Sequence, residues 1–501
     1  MITKRCTELV PVQRITKEKN MSLTTAETPP QVEPIAPAPA ATIETPTTPQ
    51  PAIAQSQIAQ PATATGDVAQ TTDTSQQIEE QVDQTSRLHE LIATDAEHGF
   101  QNYGRLPVAF VRGQGARLWD VDGKEYLDFL GGIAVVTLGH SHPEITRAIS
   151  EQAATLMHTA NLYYIEPQVH LAEKLSQLSG GMRAFFCNSG AEANEAALKL
   201  VRKYFSSQSA AQNVTTQNVD ALSDSTQNNA QSSTRFEIIS IEDSFHGRTY
   251  GSLAATGQPK YHEGFAPMPQ GFRYVPRNDF AALKAAVNEQ TAAILLEPIQ
   301  GESGIWPCDV EYLQQVRALC DEHGLLLVMD EVQAGIGRTG KFFAHEWSGI
   351  APDIIVLAKG LGNGVPIGAL LARDEVAKAL GPGTHGCTFG GNFLSCAAAL
   401  ATLRVLESEN LMQNALDVGD YFQSQLQSLD FISNVRGSGL MIGATTTNSI
   451  ARELMKTSLQ RGLIFNAIGD SYLRFLPPLT ISRADVDEAM TTLRAAYQEL
   501  N

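Results

Sequence analysis

The chain has 501 residues, 43% of them hydrophobic, and a formal net charge of -18. That length and apolar content suffice for a large subunit of two or more lobes, while the acidic balance opposes nonspecific binding of nucleic acid. No run approaches the length needed to span a bilayer and no hydrophobic segment carries a basic face, so a soluble protein without membrane attachment is expected.

The first twenty residues are basic but lack the apolar stretch of a secretory signal, which favours the cytoplasm over export. Residues 21–84 are rich in Pro, Ala, Thr and Gln and show neither helical nor alternating periodicity. The whole of 1–84 therefore reads as a disordered tail, with Met21 a candidate physiological start.

Beyond the tail, Val169, Ala172, Leu175 and Leu178 recur at helical spacing until Gly180-Gly181 stops them. Ala184-Phe185-Phe186-Cys187 then reads as a strand, Asn188-Ser189-Gly190 as a turn and 191–200 as a helix. Free amides at that helix start would face an anion; Gly190 permits close backbone approach, and the Ser189 hydroxyl adds a donor. By itself such a turn is often only a cap. Residues 206–234, dominated by Ser, Gln, Asn, Thr and Ala, predict an exposed insertion of low order.

Three further strands each end in polar residues. Ile238-Ile239-Ser240-Ile241 leads to Phe245, which could stack on a flat ring, and Arg248, which could clamp a carboxylate. The helix predicted over 311–323 is separated by Gly324 from Leu325-Leu326-Leu327-Val328-Met329, which delivers Asp330. Ile354-Ile355-Val356-Leu357-Ala358 delivers Lys359 ahead of a glycine-rich turn. Strand ends at the carboxyl edge of an α/β sheet are where ligands bind. Desolvation there disfavours the ammonium, leaving an amine suited to Schiff-base chemistry, and a carboxylate such as Asp330 suits the protonated ring nitrogen of pyridoxal phosphate. Singly, Lys359 reads as a snorkelling side chain, Asp330 as a turn cap, Phe245 as core and Arg248, Glu302 and Arg474 as surface or structural residues. Asp330 and Lys359 together read as complementary halves of one cofactor site, in an α/β protein with a mostly parallel sheet covered by helices on both faces.

Six cysteines occur without paired zinc spacing and are too few for a disulfide scaffold, and His140 and His142 lack the partners of a metal set, so no metal is expected.

At this point the residues carry a resemblance. Gly139-His140-Ser141-His142-Pro143, His158 to Tyr164, Asn188 to Glu195, Phe245 to Thr249, Gly301-Glu302, Asp330 to Gly340, Lys359 and His385 to Asn392 match, in order, the motifs of class III pyridoxal-phosphate-dependent aminotransferases. The likeness extends from about residue 95 to the C-terminus. It implies fold type I, with a large cofactor domain over 161–390, interrupted by the 206–234 insertion, and a smaller α+β domain built from both ends of the ordered chain, 85–160 and 391–501.

The resemblance also implies roles. Lys359 would carry the cofactor covalently and then shuttle the proton, Asp330 would pair with the ring nitrogen, and Gln333 would approach the ring hydroxyl. Gly190 and Ala191 would bind phosphate through their amides with Ser189 nearby, Phe245 would cover a ring face, and Thr388 would reach the phosphate of a neighbouring subunit in a homodimer. Arg248 would hold the substrate's distal carboxylate. Arg474 would bind the α-carboxylate of glutamate and pair with Glu302 when the other donor, an ω-amine, occupies the site.

The implied reaction is ping-pong transamination of N-acetylornithine with 2-oxoglutarate in arginine biosynthesis. Succinylornithine, ornithine, 4-aminobutyrate and succinyldiaminopimelate are alternative donors, and an aminomutase is a further reading. A regulatory protein that merely retains the fold would not need both Lys359 and Asp330. Two residues depart from the family pattern: Cys387 stands where serine is usual near substrate and phosphate, and Ser303 where a second glycine is usual.

Overall fold

The computed structural model describes residues 86–216 and 235–500. The expectations for the tail 1–84, for Met21 and for 217–234 lie outside the described residues. The first part of the predicted insertion, 206–216, is helical rather than of low order, because the helix Gly190–Thr216 runs through it. No Gly or Pro occurs between Val201 and Thr216 to halt propagation once the helix is nucleated.

The core is a seven-stranded sheet made of β1 (Arg183–Cys187), β2 (Glu237–Ile241), β3 (Phe272–Val275), β4 (Thr291–Leu296), β5 (Leu326–Asp330), β6 (Ile354–Leu357) and β7 (Gly368–Ala372). Its spatial order is β1-β7-β6-β5-β4-β2-β3. All neighbours are parallel except β7, which runs antiparallel to both β6 and β1.

The central strands are continuous apolar runs because both faces are covered. Leu326 and Val328 of β5 point to the side occupied by Ala193, Ala197 and Val201 of the helix Gly190–Thr216. Leu327 and Met329 point to the opposite side, against Leu313, Val316 and Cys320 of the helix Val310–His323. Burying each such Leu, Val or Met contributes roughly 1.5–3 kcal/mol. A one-residue slip would exchange the two sets, so the register that aims Asp330 is strongly specified. The Val310–His323 helix ends at Gly324, whose left-handed φ of 61° lets its N–H return to the carbonyl of Cys320.

Both ends of the described chain build the smaller lobe. Strand Leu463–Ile464 pairs in parallel with Glu125–Asp128 of an N-terminal antiparallel sheet. A second sheet is wholly C-terminal, formed by β8 (Ile432–Ser438), β9 (Met441–Thr446), β10 (Asn466–Ile468) and β11 (Tyr472–Phe475) in the order β8-β9-β11-β10. This antiparallel sheet carries Arg474 on β11.

Candidate active site

A cavity of about 430 Å³ opens at the carboxyl edge of the central sheet. Of the residues singled out in the sequence, Ser189, Gly190, Ala191, Phe245, Arg248, Asp330, Gln333 and Lys359 line it. Their positions follow from the strands: β1 ends just before the phosphate-type turn, β2 before Phe245, β5 on Asp330 and β6 before Lys359.

Asp330 is buried and held from three directions. Its Oδ2 accepts from Asn194 Nδ2 at 2.8 Å and lies 2.8 Å from His246 Nδ1, and its Oδ1 accepts from the Val332 amide at 3.0 Å. A carboxylate can only accept, so His246 carries its proton on Nδ1. Glu331, the next residue, turns away to accept from the Ala344 and His345 amides, as strand alternation requires.

Lys359 leaves β6 with φ +46°, a left-handed backbone that costs a non-glycine residue about 1–2 kcal/mol. The strained residue at this turn is therefore the lysine itself, which no composition rule predicts. Burial lowers its amine to about 8, with Arg474 acting in the same sense and the carboxylates of Glu302, Asp330 and Glu297 opposing.

The turn before the Gly190–Thr216 helix leaves the first amides without intrahelical acceptors. The Ser189 hydroxyl accepts from the Glu192 amide at 3.2 Å, which leaves its own proton free to donate. Close packing demands glycine on both sides of this seat. A Cβ on Gly190 would lie 2.9 Å from Val332, and one on Gly247, whose φ is +135°, would lie 2.7 Å from the Ala191 Cβ.

Glu302 and Arg474 do not line the cavity, but the charges of both act on the Lys359 amine within it. Arg474 Nη1 donates to Glu302 Oε2 at 2.8 Å and to the Gly301 carbonyl at 3.0 Å. Burial pushes the Glu302 carboxyl up, but Arg474 outweighs it and the net shift is downward. Arg248 lies over the ring of Tyr261, 3.8 Å from its centroid, with the Phe245 ring also close. Cys387 and Thr388 do not line this chain's own cavity. The Cys387 sulfur instead accepts from Asn188 Nδ2 at 3.1 Å, and Thr388 is exposed. His140, set aside as a metal ligand, bonds Asp128 at 2.8 Å.

Sequence reasoning passed over Asn194, His246 and Glu297. Glu297 follows the all-buried strand β4 and so carries the same signal, an apolar run ending in a charge, that marked Asp330 and Lys359. Its oxygens accept from the Phe245 amide at 3.0 Å and the Gly301 amide at 3.3 Å. Burial, reinforced by the charge of Asp330, pushes its carboxyl well above the usual range. Asn194 is a polar residue on the sheet-facing side of an apolar helix, and its signal was that misplacement.

The cavity offers an amine with lowered proton affinity, a buried carboxylate, an anion seat at a helix start and an aromatic ring. It also offers the Gln333 Oε1, which is buried without a partner. These fit the aldehyde, ring nitrogen, phosphate, ring face and ring hydroxyl of pyridoxal phosphate on a fold type I scaffold.

Comparison with known proteins agrees. The class III aminotransferase family model matches residues 100–497. An acetylornithine aminotransferase from Methanocaldococcus jannaschii is 48% identical over 413 residues, covering 82% of this chain and 98% of that protein. The structure of N-acetylornithine aminotransferase from Stenotrophomonas maltophilia K279a superposes with a TM-score of 0.66 at 38% identity, covering 82% of this chain and 99% of that one. An ornithine aminotransferase from Toxoplasma gondii, whose structure has pyridoxal phosphate at partial occupancy in its active site, gives 0.73 at 30% identity, covering 86% and 98%. The chain belongs to the class III aminotransferases, and pyridoxal phosphate is the cofactor of that family.

Proposed function

We propose that the chain transfers the amino group of N-acetylornithine to 2-oxoglutarate, yielding N-acetylglutamate 5-semialdehyde and glutamate, as a cytoplasmic homodimer serving arginine biosynthesis. The observation that carries this reading is the Arg474–Glu302 pair beside the Lys359 amine: it suits a pocket that must accept an ω-amine and an α-amino acid in turn.

Pyridoxal phosphate, when bound, supplies an aldehyde that takes up amino groups and a ring that delocalises the electron pair left after proton loss. The residues do the rest. Gly190 and Ala191 hold the phosphate through their amides, with the Ser189 hydroxyl donating; Phe245 covers a ring face; Gln333 serves the ring hydroxyl. Asp330, oriented by Asn194 and His246, keeps a proton on the ring nitrogen. Lys359, whose proton affinity burial lowers, would take the proton from the nitrogen-bearing substrate carbon and pass it to the cofactor carbon that had carried the aldehyde. Arg248 holds the distal carboxylate of either donor.

Glutamate brings an α-carboxylate to Arg474, and Glu302 must release it. An ω-amine brings none, and Glu302 then neutralises a guanidinium that is almost fully buried. The homodimer reading rests on two adjoining segments, 158–164 and 385–392, joined by Asn161 donating to the carbonyls of Cys387 and Gly390. Tyr164 is 99% exposed there, with Leu162, Tyr163 and Phe389 also exposed, a patch that suits a second copy delivering Thr388 and Cys387. Among the described residues no helix is long and apolar enough to cross a membrane.

The deciding assay compares kcat/KM for N-acetylornithine, succinylornithine, ornithine, 4-aminobutyrate and succinyldiaminopimelate with 2-oxoglutarate as acceptor. N-acetylornithine should lead. A preference for unacylated ornithine, the activity in the name of the Toxoplasma relative, would sink the substrate assignment, and failure to form glutamate would favour an aminomutase.

A further inference from the structure

Arg436, Gly443 and Arg474 form one row across three neighbouring strands, since Arg436 of β8 faces Gly443 of β9 and Gly443 faces Arg474 of β11. Directly opposed residues share a face of the sheet, so two guanidinium groups flank a position with no side chain. The Gly304 backbone and the Ile305 side chain fill that gap: a Cβ on Gly443 would lie 2.6 Å from the Gly304 carbonyl oxygen and 2.8 Å from the Ile305 Cβ.

The two arginines straddle the loop 301–306 and treat it differently. Each nitrogen of Arg436 is engaged, with Nε donating to the Ile305 carbonyl at 2.7 Å, Nη2 to the Gly304 carbonyl at 2.5 Å and Nη1 to Thr445 Oγ1 at 2.7 Å. The Trp306 ring lies 3.6 Å from its guanidinium carbon, and Trp306 Nε1 donates to the Ser303 carbonyl at 3.0 Å. Tyr472 closes the cluster edge-on, 5.5 Å from Trp306. Arg474 takes only the near end of the loop, the Gly301 carbonyl, spends its other bond on the Glu302 side chain, and keeps its Nε buried without a partner.

We infer that Arg436, braced by Trp306, is a positioning residue for substrate choice. It fixes the backbone after Glu302, so that the carboxylate exchanges partners by side-chain rotation while the loop stays in place. The neutral carbonyls that Arg436 grips have no reason to change partner when an anion arrives, whereas Glu302 does. This rests on the proposed release of Arg474 by Glu302.

The test follows the two half-reactions separately in holoenzyme, by the absorbance change of the cofactor in single turnovers, for wild type, Arg436→Gln, Arg436→Lys, Glu302→Ala and the Arg436→Gln/Glu302→Ala double variant. Binding of glutarate, an unreactive dicarboxylate, is measured alongside by calorimetry. Loosening the loop should lower the ratio of N-acetylornithine to glutamate kcat/KM by about tenfold or more. Glutarate binding should hold or tighten, and Arg436→Lys, which keeps the charge without the fork, should fall between. In the Glu302→Ala background, Arg436→Gln should leave the ratio where Glu302→Ala put it. Equal losses in both half-reactions, or an additive change in the double variant, would overturn the role of Arg436. An unchanged ratio in Glu302→Ala alone would instead bring down the exchange reading on which it rests. Arg436→Lys and a Trp306→Phe variant keep the test open should Arg436→Gln fold poorly.

Discussion

The wall proposed to face the cofactor and the wall proposed to face the substrate's α-carboxylate both depend on charged side chains, yet they are built on opposite plans. Asp330 sits at the end of a central parallel strand, almost fully buried, with Asn194, His246 and the Val332 amide all engaged. Glu302 sits on a loop, partly exposed, and the one side-chain ion pair it makes among the described residues is with Arg474 of the other sheet. A charge that must stay constant through the reaction is over-determined by the sheet. A charge that, in the proposed exchange, must yield to one of two substrates has a single side-chain partner on the other sheet.

Variants can break this contrast. Lys359→Ala should cost the most, more than about 10⁴-fold in turnover, since it removes the residue proposed as both covalent anchor and proton carrier; a normal circular dichroism spectrum would show the fold intact, and near-normal turnover would refute the assignment. Borohydride reduction of the holoenzyme followed by peptide mass spectrometry should place the label on Lys359. Asp330→Asn should lower kcat by about 10²–10³-fold, and equally in the two half-reactions, because the ring nitrogen is served identically in both. Glu302→Ala should be selective, with the ω-amine half-reaction falling about 10–100-fold while glutamate is spared, as expected for loss of a charged hydrogen bond that only one substrate needs. An equal effect on both would erase the distinction between the two walls.

The smallest effect is on pH. Burial lowers the Lys359 amine to about 8, so capture of pyridoxal phosphate by apoprotein should rise with pH and level off above about 8. The sign carries over to stability: between about 8 and the ordinary lysine value near 10.4 the unfolded chain binds the extra proton, so apoprotein should gain stability as pH rises through that window. Lys359→Ala should flatten that part of the profile, which thermal denaturation across the pH range would measure.

Some of this was local enough to read along the chain. Asp330 and Lys359 close apolar runs, and Gly190 opens a helix after a polar turn; each signal lies within a few consecutive residues, and covalent connectivity carries it into the fold unchanged. Glu297 carried the same local signal and was passed over in favour of Glu302 in the same stretch. The low-complexity composition of 206–216 misled, because helix propagation depends on the residues already helical before it.

What the amino-acid order determined by itself was therefore the set of strand-end groups and their chemistry, along with the alternation of strands and helices that brings such ends to one edge. Tertiary structure decided the antiparallel placement of β7, the left-handed backbone of Lys359, the bonds that Asn194 and His246 make to Asp330, and the row of Arg436, Gly443 and Arg474. The physical reason is register: cross-strand neighbours and the loop lying over them come from stretches far apart in the chain, and only burial of the two sheet faces aligns them.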